Sequence, residues 1–244
     1  MRFTGLTALV LHVRPYRESS AIVQFFTREQ GRIAGVVRGL RRGKHPQRVE
    51  PFGYGEVSFS GRGELMTVTQ LDLSGRFALA GDTMAAGFYV LEVLSRVLGE
   101  RQAEPALYRS TQETLNHLAS LGDAPSPQAM AVYLRSFEVT LLEALGYGID
   151  FEVEADGRSE IVAEGQYRFD ADVGFRRVAA ETASEDPLSA LPGRVLNAIA
   201  AGDFSTADAR RCARLIFAEA LTPLLGNKPL VSRSLWQARN ETNE

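Results

Sequence analysis

A cluster of positively charged residues near the start of the chain carries the clearest chemistry. The stretch RGLRRGKHPQR has no acidic residue, and its five cations are Arg38, Arg41, Arg42, Lys44 and Arg48. The stretch follows a strand-like run and is interrupted by Gly43 and Pro46, which predicts a loop between strands. Five like charges close together repel one another, so the sequence predicts an anion-binding loop. The alternative is a loop whose cations are merely solvated.

The distribution of charge along the chain indicates the kind of anion. Residues 1–80 hold 12 Lys and Arg against 6 Asp and Glu, whereas residues 81–244 hold 15 against 24. The whole chain has a formal net charge of −3, yet its first third is basic. This asymmetry is typical of proteins that bind a polyanion such as nucleic acid. Arg14 and Arg17 are predicted on the turn that leaves the first strand and would extend the basic surface.

Aromatic residues of the same region could add base stacking to phosphate binding. These residues are Phe25, Phe26, Phe52, Tyr54 and Phe59. Side chains of a strand point alternately to its two faces, so each ring either stacks on a base or fills the interior of the domain. The sequence leaves both alternatives open.

The sequence contains no convincing motif for catalysis. The stretch GLRRGKH resembles a Walker A loop only superficially, because His45 stands where Ser or Thr would bind magnesium. Cys212 lies among arginines that could lower its pKa, but no histidine is near it in sequence. The three histidines are far apart and form no metal-ligand spacing. The sequence therefore predicts a protein that is not an enzyme, with no cofactor and no metal.

The first 75 residues have the pattern of β-strands. Five short runs rich in β-branched and aromatic residues are separated by turn residues: TALVLHVRPY, AIVQFFTRE, GRIAGVVRGL, GYGEVSFSG and ELMTVTQLDLSG. Gly35 and Gly55 lie inside strands, where glycine permits sharp bending. The predicted fold of residues 1–80 is a five-stranded β-barrel of the OB type, with an SH3-like barrel as the alternative.

After residue 81 the spacing of apolar residues becomes helical. Helices are predicted over 83–99, 104–121, 127–145, about 192–201 and 206–225. Residues 150–186 are acidic, and QYRFDADVGFRRV within them predicts a β-hairpin that turns near residues 172–174. The predicted fold class is α+β with two domains. The barrel covers 1–80, and a helical bundle covers 81–244 and carries the acidic insert 150–186.

The C-terminal stretch LTPLLGNKPLVSRSLW mixes cationic and apolar residues. Gly226 ends the last long helix, whose N-cap is predicted at Ser205, and Pro229 prevents its continuation. Lys228 and Arg233 lie in this joint beside leucines. The joint could receive a short acidic peptide with a hydrophobic end, or it could be a helix connection with both cations in solvent.

Several of these stretches together resemble the RecO family of bacterial recombination mediators, particularly its shorter proteobacterial form. The matching segments are ALVLHVRPYRESSAIVQFFTREQGRIAGVVRGLRR, FSGRGEL, YVLEVLSRVL, RSFEVTLLEALGYGIDF and LTPLLGNKPLVSRSLW. The resemblance implies an OB-fold followed by a helical domain, in a protein that binds single- and double-stranded DNA and anneals complementary strands. It also implies three protein partners: RecR, the acidic C-terminal tail of single-strand-binding protein, and RecA, which the family helps to load onto coated DNA.

The resemblance also suggests which residues bind each partner. The basic barrel segment of the family corresponds to Arg38, Arg41, Arg42 and Lys44, and Arg14 and Arg48 complete the predicted DNA-binding set. The predicted site for the tail of single-strand-binding protein is Arg135 in the third helix with Lys228 and Arg233, since the aspartates of the tail need cations. The alternative function is an adaptor whose basic barrel docks acidic proteins instead of DNA.

Many members of the family carry a four-cysteine zinc module after the LGY segment. Here residues 150–186 contain no cysteine, so the sequence predicts that the acidic hairpin replaces the module and that no zinc binds. Cys212 is the only cysteine, which excludes an internal disulfide. No apolar run approaches the roughly 20 residues needed to span a bilayer. The sequence therefore predicts a cytoplasmic protein that associates with the nucleoid and contacts no membrane.

Overall fold

The computed structural model describes residues 1–39, 48–123, 125–179, 186–226 and 228–232. The described chain forms two compact units, Met1–Ala124 with Pro229–Glu244 and Pro125–Lys228. The first unit therefore contains the first two helices as well as the strands. The domain boundary placed after residue 80 from the sequence stays a prediction.

The first unit is built on a closed five-stranded barrel. Its strands are β1 (Arg2–Tyr16), β2 (Ser20–Thr27), β3 (Gly31–Arg38), β4 (Gly53–Ser60) and β5 (Leu65–Arg76). The strand order is β1-β2-β3-β5-β4, and β4 returns to β1. All pairs are antiparallel except β3 with β5, which run parallel over a short stretch. This architecture confirms the predicted OB-type barrel.

Two glycines inside the strands are required by close approach of the chain. A Cβ atom on Gly55 would lie 2.1 Å from the carbonyl oxygen of Asp72, and one on Gly35 would lie 2.7 Å from Cγ2 of Val68. The register of β4 with β5 also shifts beside Gly55. The barrel can therefore bend tightly at these positions only with glycine.

The interior of the barrel is filled by alternate residues of its strands. Buried members of this core include Leu6, Val10, Val23, Phe25, Ile33, Val57, Phe59 and Met66. The rings of Phe25 and Phe59 meet edge to face with centroids 5.6 Å apart. Because odd-numbered residues of β2 and β3 point inward, their even-numbered neighbours point outward.

Two helices complete the first unit. They are α1 (Gly81–Val97) and α2 (Pro105–Ser120). Phe26 packs against Tyr108 of α2 with ring centroids 5.2 Å apart, and Phe52 packs against Phe88 of α1 at 4.9 Å. These contacts bury part of the outer surface of the barrel.

The second unit combines three helices with a small sheet. Its elements are α3 (Pro127–Ala144), β6 (Gln166–Asp170), β7 (Gly174–Val178), β8 (Leu191–Pro192), α4 (Gly193–Ala200) and α5 (Ala207–Leu225). The sheet has the order β7-β6-β8 and contains the hairpin predicted in the insert. The predicted N-cap of α5 was wrong by one residue. The hydroxyl of Thr206, not Ser205, accepts the hydrogen bond from the backbone N–H of Ala209 at 3.1 Å.

The insert has an apolar core of its own. The ring of Phe175 lies 5.3 Å from that of Phe151 and 5.0 Å from that of Phe169, and Tyr167 is fully buried. The described part of the insert is therefore packed, although only β6 and β7 within it are regular strands. Within the described ranges, no helix is long and apolar enough to cross a membrane.

Candidate functional site

The predicted DNA-binding residues that the structure describes are Arg14, Arg38 and Arg48. Arg14 is exposed on β1, and Arg38 is exposed at the end of β3. Arg48 is exposed too, but its Nε lies 2.7 Å from Oε1 of Glu50. Arg41, Arg42 and Lys44 lie outside the described residues, so their assignment stays a prediction.

Strand pairing brings Arg14 and Arg38 to one outer face of the barrel, which we term the arginine face. Arg14 is opposite Ile22, and Arg38 is opposite Ser20, on the central strand β2. Ala21 lies between these two β2 residues and points into the core. Arg14 and Arg38 therefore share the outward side, with Cα atoms roughly 12 Å apart for a strand spacing of about 4.8 Å and a rise of about 3.4 Å per residue.

Some barrel arginines are paired with carboxylates, whereas those of this face, like Arg2 and Arg62, have no ion pair among the described residues. Arg28 lies 3.0 Å from Glu29, and Arg32 lies 3.7 Å from Glu100 while its Nε donates to the carbonyl of Leu98. By contrast, no carboxylate of the described ranges lies within 4.0 Å of Arg14, Arg17 or Arg38. Among the described residues, these three guanidinium groups are therefore candidates for binding an external anion, and that of Arg17 lies over the ring of Tyr16.

The aromatic residues considered for base stacking occupy the interior. Phe25, Phe26, Phe52 and Phe59 are all 0% exposed. The stacking alternative is therefore wrong for these four, because packing inside the barrel and under the helices removes them from solvent. Tyr54 is partly exposed, but its ring packs against Phe77 at 4.9 Å. Sequence reasoning missed Tyr16, which shares the arginine face.

A second candidate site is a cavity of about 710 Å³ within the second unit. Its apolar walls come from α3, the start of the insert, α4 and α5, and include Val132, Val139, Ile149, Phe151, Ile199 and Phe204. Val132 and Val139 remain 38% and 39% exposed. Two exposed valines on one helix beside an apolar hollow indicate a surface suited to a hydrophobic group.

Arg135 is the cation of this cavity. Its side chain is only 11% exposed, and Nη2 donates to Oε1 of the buried Glu138 at 2.9 Å. The guanidinium also lies over the ring of Phe217, 5.6 Å from the centroid. Its Nε has no hydrogen-bond partner among the described residues. This Nε is itself buried, so only the remainder of the guanidinium can line the hollow. Arg135 thus places a positive charge beside apolar walls, although Asp150 and Glu152 line the same hollow.

Two of the three residues predicted to bind the tail of single-strand-binding protein are described, and only Arg135 of these two lines the cavity. Lys228 is exposed and is not among the residues that line the cavity. Arg233 lies outside the described residues. The joint assignment of these residues stays a prediction, and Arg135 is the member with a defined environment.

The segment that follows Lys228 is held to α1 by an ion pair. Glu92 accepts hydrogen bonds from the backbone N–H groups of Val231 at 2.9 Å and Ser232 at 2.8 Å. Arg96 pairs with Glu92 and donates to the carbonyl of Pro229 at 2.8 Å. Burial by itself raises the pKa of Glu92, but the N–H bonds from Ser232 and Val231 and the charge of Arg96 outweigh burial and lower that pKa overall.

Replacing Glu92 by glutamine is expected to release this segment. The neutral amide makes weaker hydrogen bonds, so exchange of the amide protons of Val231 and Ser232 should accelerate about tenfold or more, corresponding to roughly 1.5–3 kcal/mol for bonds to a charged acceptor. In the unchanged protein the carboxylate contributes fully above about pH 4.5, and its contribution is lost as the pH falls through the lowered pKa.

Hydrogen exchange measured by NMR tests this expectation, with Glu113→Gln on the exposed face of α2 as the control. Equal protection of Val231 and Ser232 in the Glu92 variant and the control would show that the ion pair does not hold the segment.

Cys212 lacks the features of a reactive thiol. Burial, together with the negative charge of Asp208, raises its pKa, and the nearby Arg211 does not reverse this. The possibility that neighbouring arginines activate the thiol is therefore wrong.

Across the residues the structure describes, no group of three His, Cys, Asp or Glu side chains is placed to hold a metal ion.

Comparison with known proteins covers both units. Family models described as "Recombination protein O N terminal" and "Recombination protein O C terminal" match residues 1–77 and 79–233. The chain is 36% identical over 239 residues to "DNA repair protein RecO" of Cellvibrio japonicus, covering 97% of this chain and 98% of that protein. The protein of the same name from Pseudomonas entomophila is 38% identical over 233 residues, covering 95% and 96%. That from Pseudoalteromonas translucida is 35% identical over 234 residues, also covering 95% and 96%.

Proposed function

The chain belongs to the RecO family of DNA repair and recombination proteins, and we propose that it is a non-catalytic recombination mediator. In this proposal it binds single- and double-stranded DNA, anneals complementary strands, and with RecR helps to load RecA onto DNA coated by single-strand-binding protein. The observation that carries the proposal is the arginine face, where Arg14 and Arg38 lie without a carboxylate partner among the described residues. In sequence, Arg38 begins the basic stretch 38–48.

Binding to DNA would proceed by neutralisation of phosphates. Each contacted phosphate releases counterions, so affinity falls with salt by a log–log slope of about −0.7 per contact on a single strand. About five contacts from the arginine face and the basic loop would therefore give a slope near −3 to −4. Phosphate contacts carry no base information, so binding would be largely independent of sequence.

Annealing would follow from the same charge. Two DNA backbones repel each other, and a positive surface that holds one of them lowers the repulsion felt by the second. The protein would then act by bringing strands together without a chemical step. This requires only exposed cations on a rigid barrel, which the arginine face supplies.

The cavity of the second unit would hold the tail of single-strand-binding protein. The hydrophobic end of the tail would lie against the apolar walls and one of its carboxylates near Arg135. Asp150 and Glu152 also line the hollow, so the remaining acidic residues of the tail would have to lie away from them. Arg135 would bind a carboxylate of the tail through the part of its guanidinium that lines the hollow, while Val132 and Val139 contact the hydrophobic end. Docking there would raise the local concentration of the mediator on coated DNA. Lys228 and Arg233 would contact further acidic residues of the tail.

Replacing Val139 by aspartate is expected to weaken binding of the tail peptide at least tenfold, because a carboxylate then faces an acidic ligand across an apolar surface. The ligand is a fluorescent peptide with the last residues of this organism's single-strand-binding protein, and the measurement is fluorescence anisotropy. Val173→Asp is a matched control, since Val173 is also 39% exposed but does not line the cavity. Equal affinity of both variants would exclude the cavity as the tail site.

The DNA-binding proposal is tested by titrating a labelled 30-mer of single-stranded DNA with the protein at several salt concentrations. Submicromolar binding with the slope given above supports it. Absence of binding at low salt contradicts it and favours the alternative, an adaptor whose basic barrel docks acidic proteins.

A further inference from the structure

The arginine face contains one aromatic residue in addition to its cations. Tyr16 is the last residue of β1 and pairs with Ser20 of β2, which in turn pairs with Arg38 of β3. We propose that Tyr16 stacks on a base of single-stranded DNA while the surrounding arginines bind its phosphates. The inference rests on the proposed DNA binding and adds a residue that distinguishes single strands from duplexes.

The strand register places the ring of Tyr16 outside the barrel. In the row next to Tyr16, Ser20 and Arg38, the paired residues Ala21 and Val37 both belong to the barrel core. Successive side chains of a strand alternate between faces, so Tyr16, Ser20 and Arg38 point outward together. Tyr16 is partly exposed there, unlike the four buried phenylalanines.

The surroundings of Tyr16 are suited to a nucleotide. Arg17, which adopts a left-handed backbone with φ of 55°, places its guanidinium over the tyrosine ring at 5.1 Å from the centroid. The next row of the same face is Arg14, Ile22 and Val36, with Ile22 and Val36 partly exposed. A ring next to small and aliphatic side chains, bordered by three arginines, combines a stacking platform with phosphate contacts.

The position of Tyr16 within the barrel also supports stacking on a base. OB-type barrels bind oligonucleotides across the β2–β3 face and with the loop between β1 and β2. Tyr16 and Arg17 lie where β1 passes into that loop, and Arg38 is at the end of β3. The other partly exposed barrel aromatics are engaged elsewhere, because Tyr54 packs on Phe77 and Phe3 packs against the core.

If Tyr16 stacks on a base, the affinity for DNA should depend on the presence of unpaired bases. Phosphate binding alone predicts no such dependence. An abasic single strand keeps its phosphates, and a duplex keeps its bases within its own stack. The unchanged protein should therefore bind a 30-mer of single-stranded DNA about 5- to 100-fold more tightly than an abasic strand of equal length. Tyr16→Leu should lose affinity for the ordinary single strand by a similar factor, keep its affinity for duplex and abasic DNA, and keep the salt slope.

The experiment is an anisotropy titration of these three DNA ligands with the unchanged protein, Tyr16→Leu, Tyr16→Phe and the control Tyr147→Leu. Tyr147 is 51% exposed in the second unit. The phenylalanine variant and the control should behave as the unchanged protein does, and thermal melting confirms folding of each.

Three outcomes would overturn the inference. The first is equal affinity of the unchanged protein for ordinary and abasic strands, a result that does not depend on the folding of any variant. The second is that Tyr16→Leu still prefers the ordinary single strand to the abasic strand as strongly as the unchanged protein does. The third is that Tyr16→Leu loses affinity equally for all three DNA ligands. If the unchanged protein binds none of the three, the proposed DNA binding fails as well, so the two failures are distinguishable.

Discussion

Replacing Arg38, Arg41, Arg42 and Lys44 together by alanine is expected to weaken binding of single-stranded DNA by about two to three orders of magnitude at 0.1 M salt. Each lost phosphate contact reduces the magnitude of the log–log salt slope by about 0.7, so the loss of four contacts reduces it by nearly 3. At 0.1 M salt, a slope change of that size corresponds to a loss of affinity of nearly three orders of magnitude. The slope itself should become correspondingly shallower. Affinity for the tail of single-strand-binding protein should not change, because its proposed cavity lies in the second unit.

A control variant removes the same charge from elsewhere. Arg158, Arg194, Arg211 and Arg214 are exposed in the second unit, and their joint replacement by alanine should change DNA affinity less than about threefold. If both quadruple variants lose DNA binding equally, net charge and not the basic barrel determines affinity. If neither loses it, the basic loop is not the DNA-binding element.

Replacing Glu138 by alanine is expected to destabilise the protein by about 3–5 kcal/mol. Glu138 is 1% exposed and holds the largely buried guanidinium of Arg135 at 2.9 Å. Removal of one partner of a buried ion pair leaves the other charge uncompensated, which is the most costly way to break such a pair. The free energy of unfolding in urea measures the loss, and Glu143→Ala, at an exposed position of the same helix, is the control.

A double variant separates the stability of the pair from its function. Arg135→Met with Glu138→Leu removes both charges, and such apolar replacements of buried pairs recover most of the stability. The double variant should therefore fold but lose affinity for the acidic tail peptide. A fully stable Glu138→Ala variant would show that Arg135 has another partner, and retention of peptide affinity in the double variant would exclude Arg135 from the site.

The comparison of sequence and structure shows which features are local. The five barrel strands and the five helices of the described ranges lie close to their predicted positions. Alternation, helical spacing, Pro127 at a helix start and Gly146 after a helix end all act over a few residues. The N-cap of α5 was predicted at Ser205 and is found at Thr206. Both side chains can cap a helix, and only the path of the backbone decides which one accepts the hydrogen bond.

The candidate sites, by contrast, depend on contacts between residues that are distant in sequence. Whether Phe25 or Tyr16 faces solvent depends on strand register and on the shift between Val10 and His12, which one sequence does not reveal. The hydrogen bonds from Val231 and Ser232 to Glu92 join residues far apart in the chain.

By itself, the amino-acid sequence determined the five barrel strands, the positions of the helices, the basic first third and the resemblance to the RecO family, because these follow from neighbouring residues, composition or matching segments. It left an SH3-like barrel as the alternative, and the strand order of the structure decided for the OB type. Only the tertiary structure decided which aromatics are buried, that Arg14 and Arg38 share a face, and that Arg135 lies at an apolar cavity with its charge held by Glu138. Burial and pairing of a side chain depend on the segments that pack against it, and those segments come from distant parts of the chain.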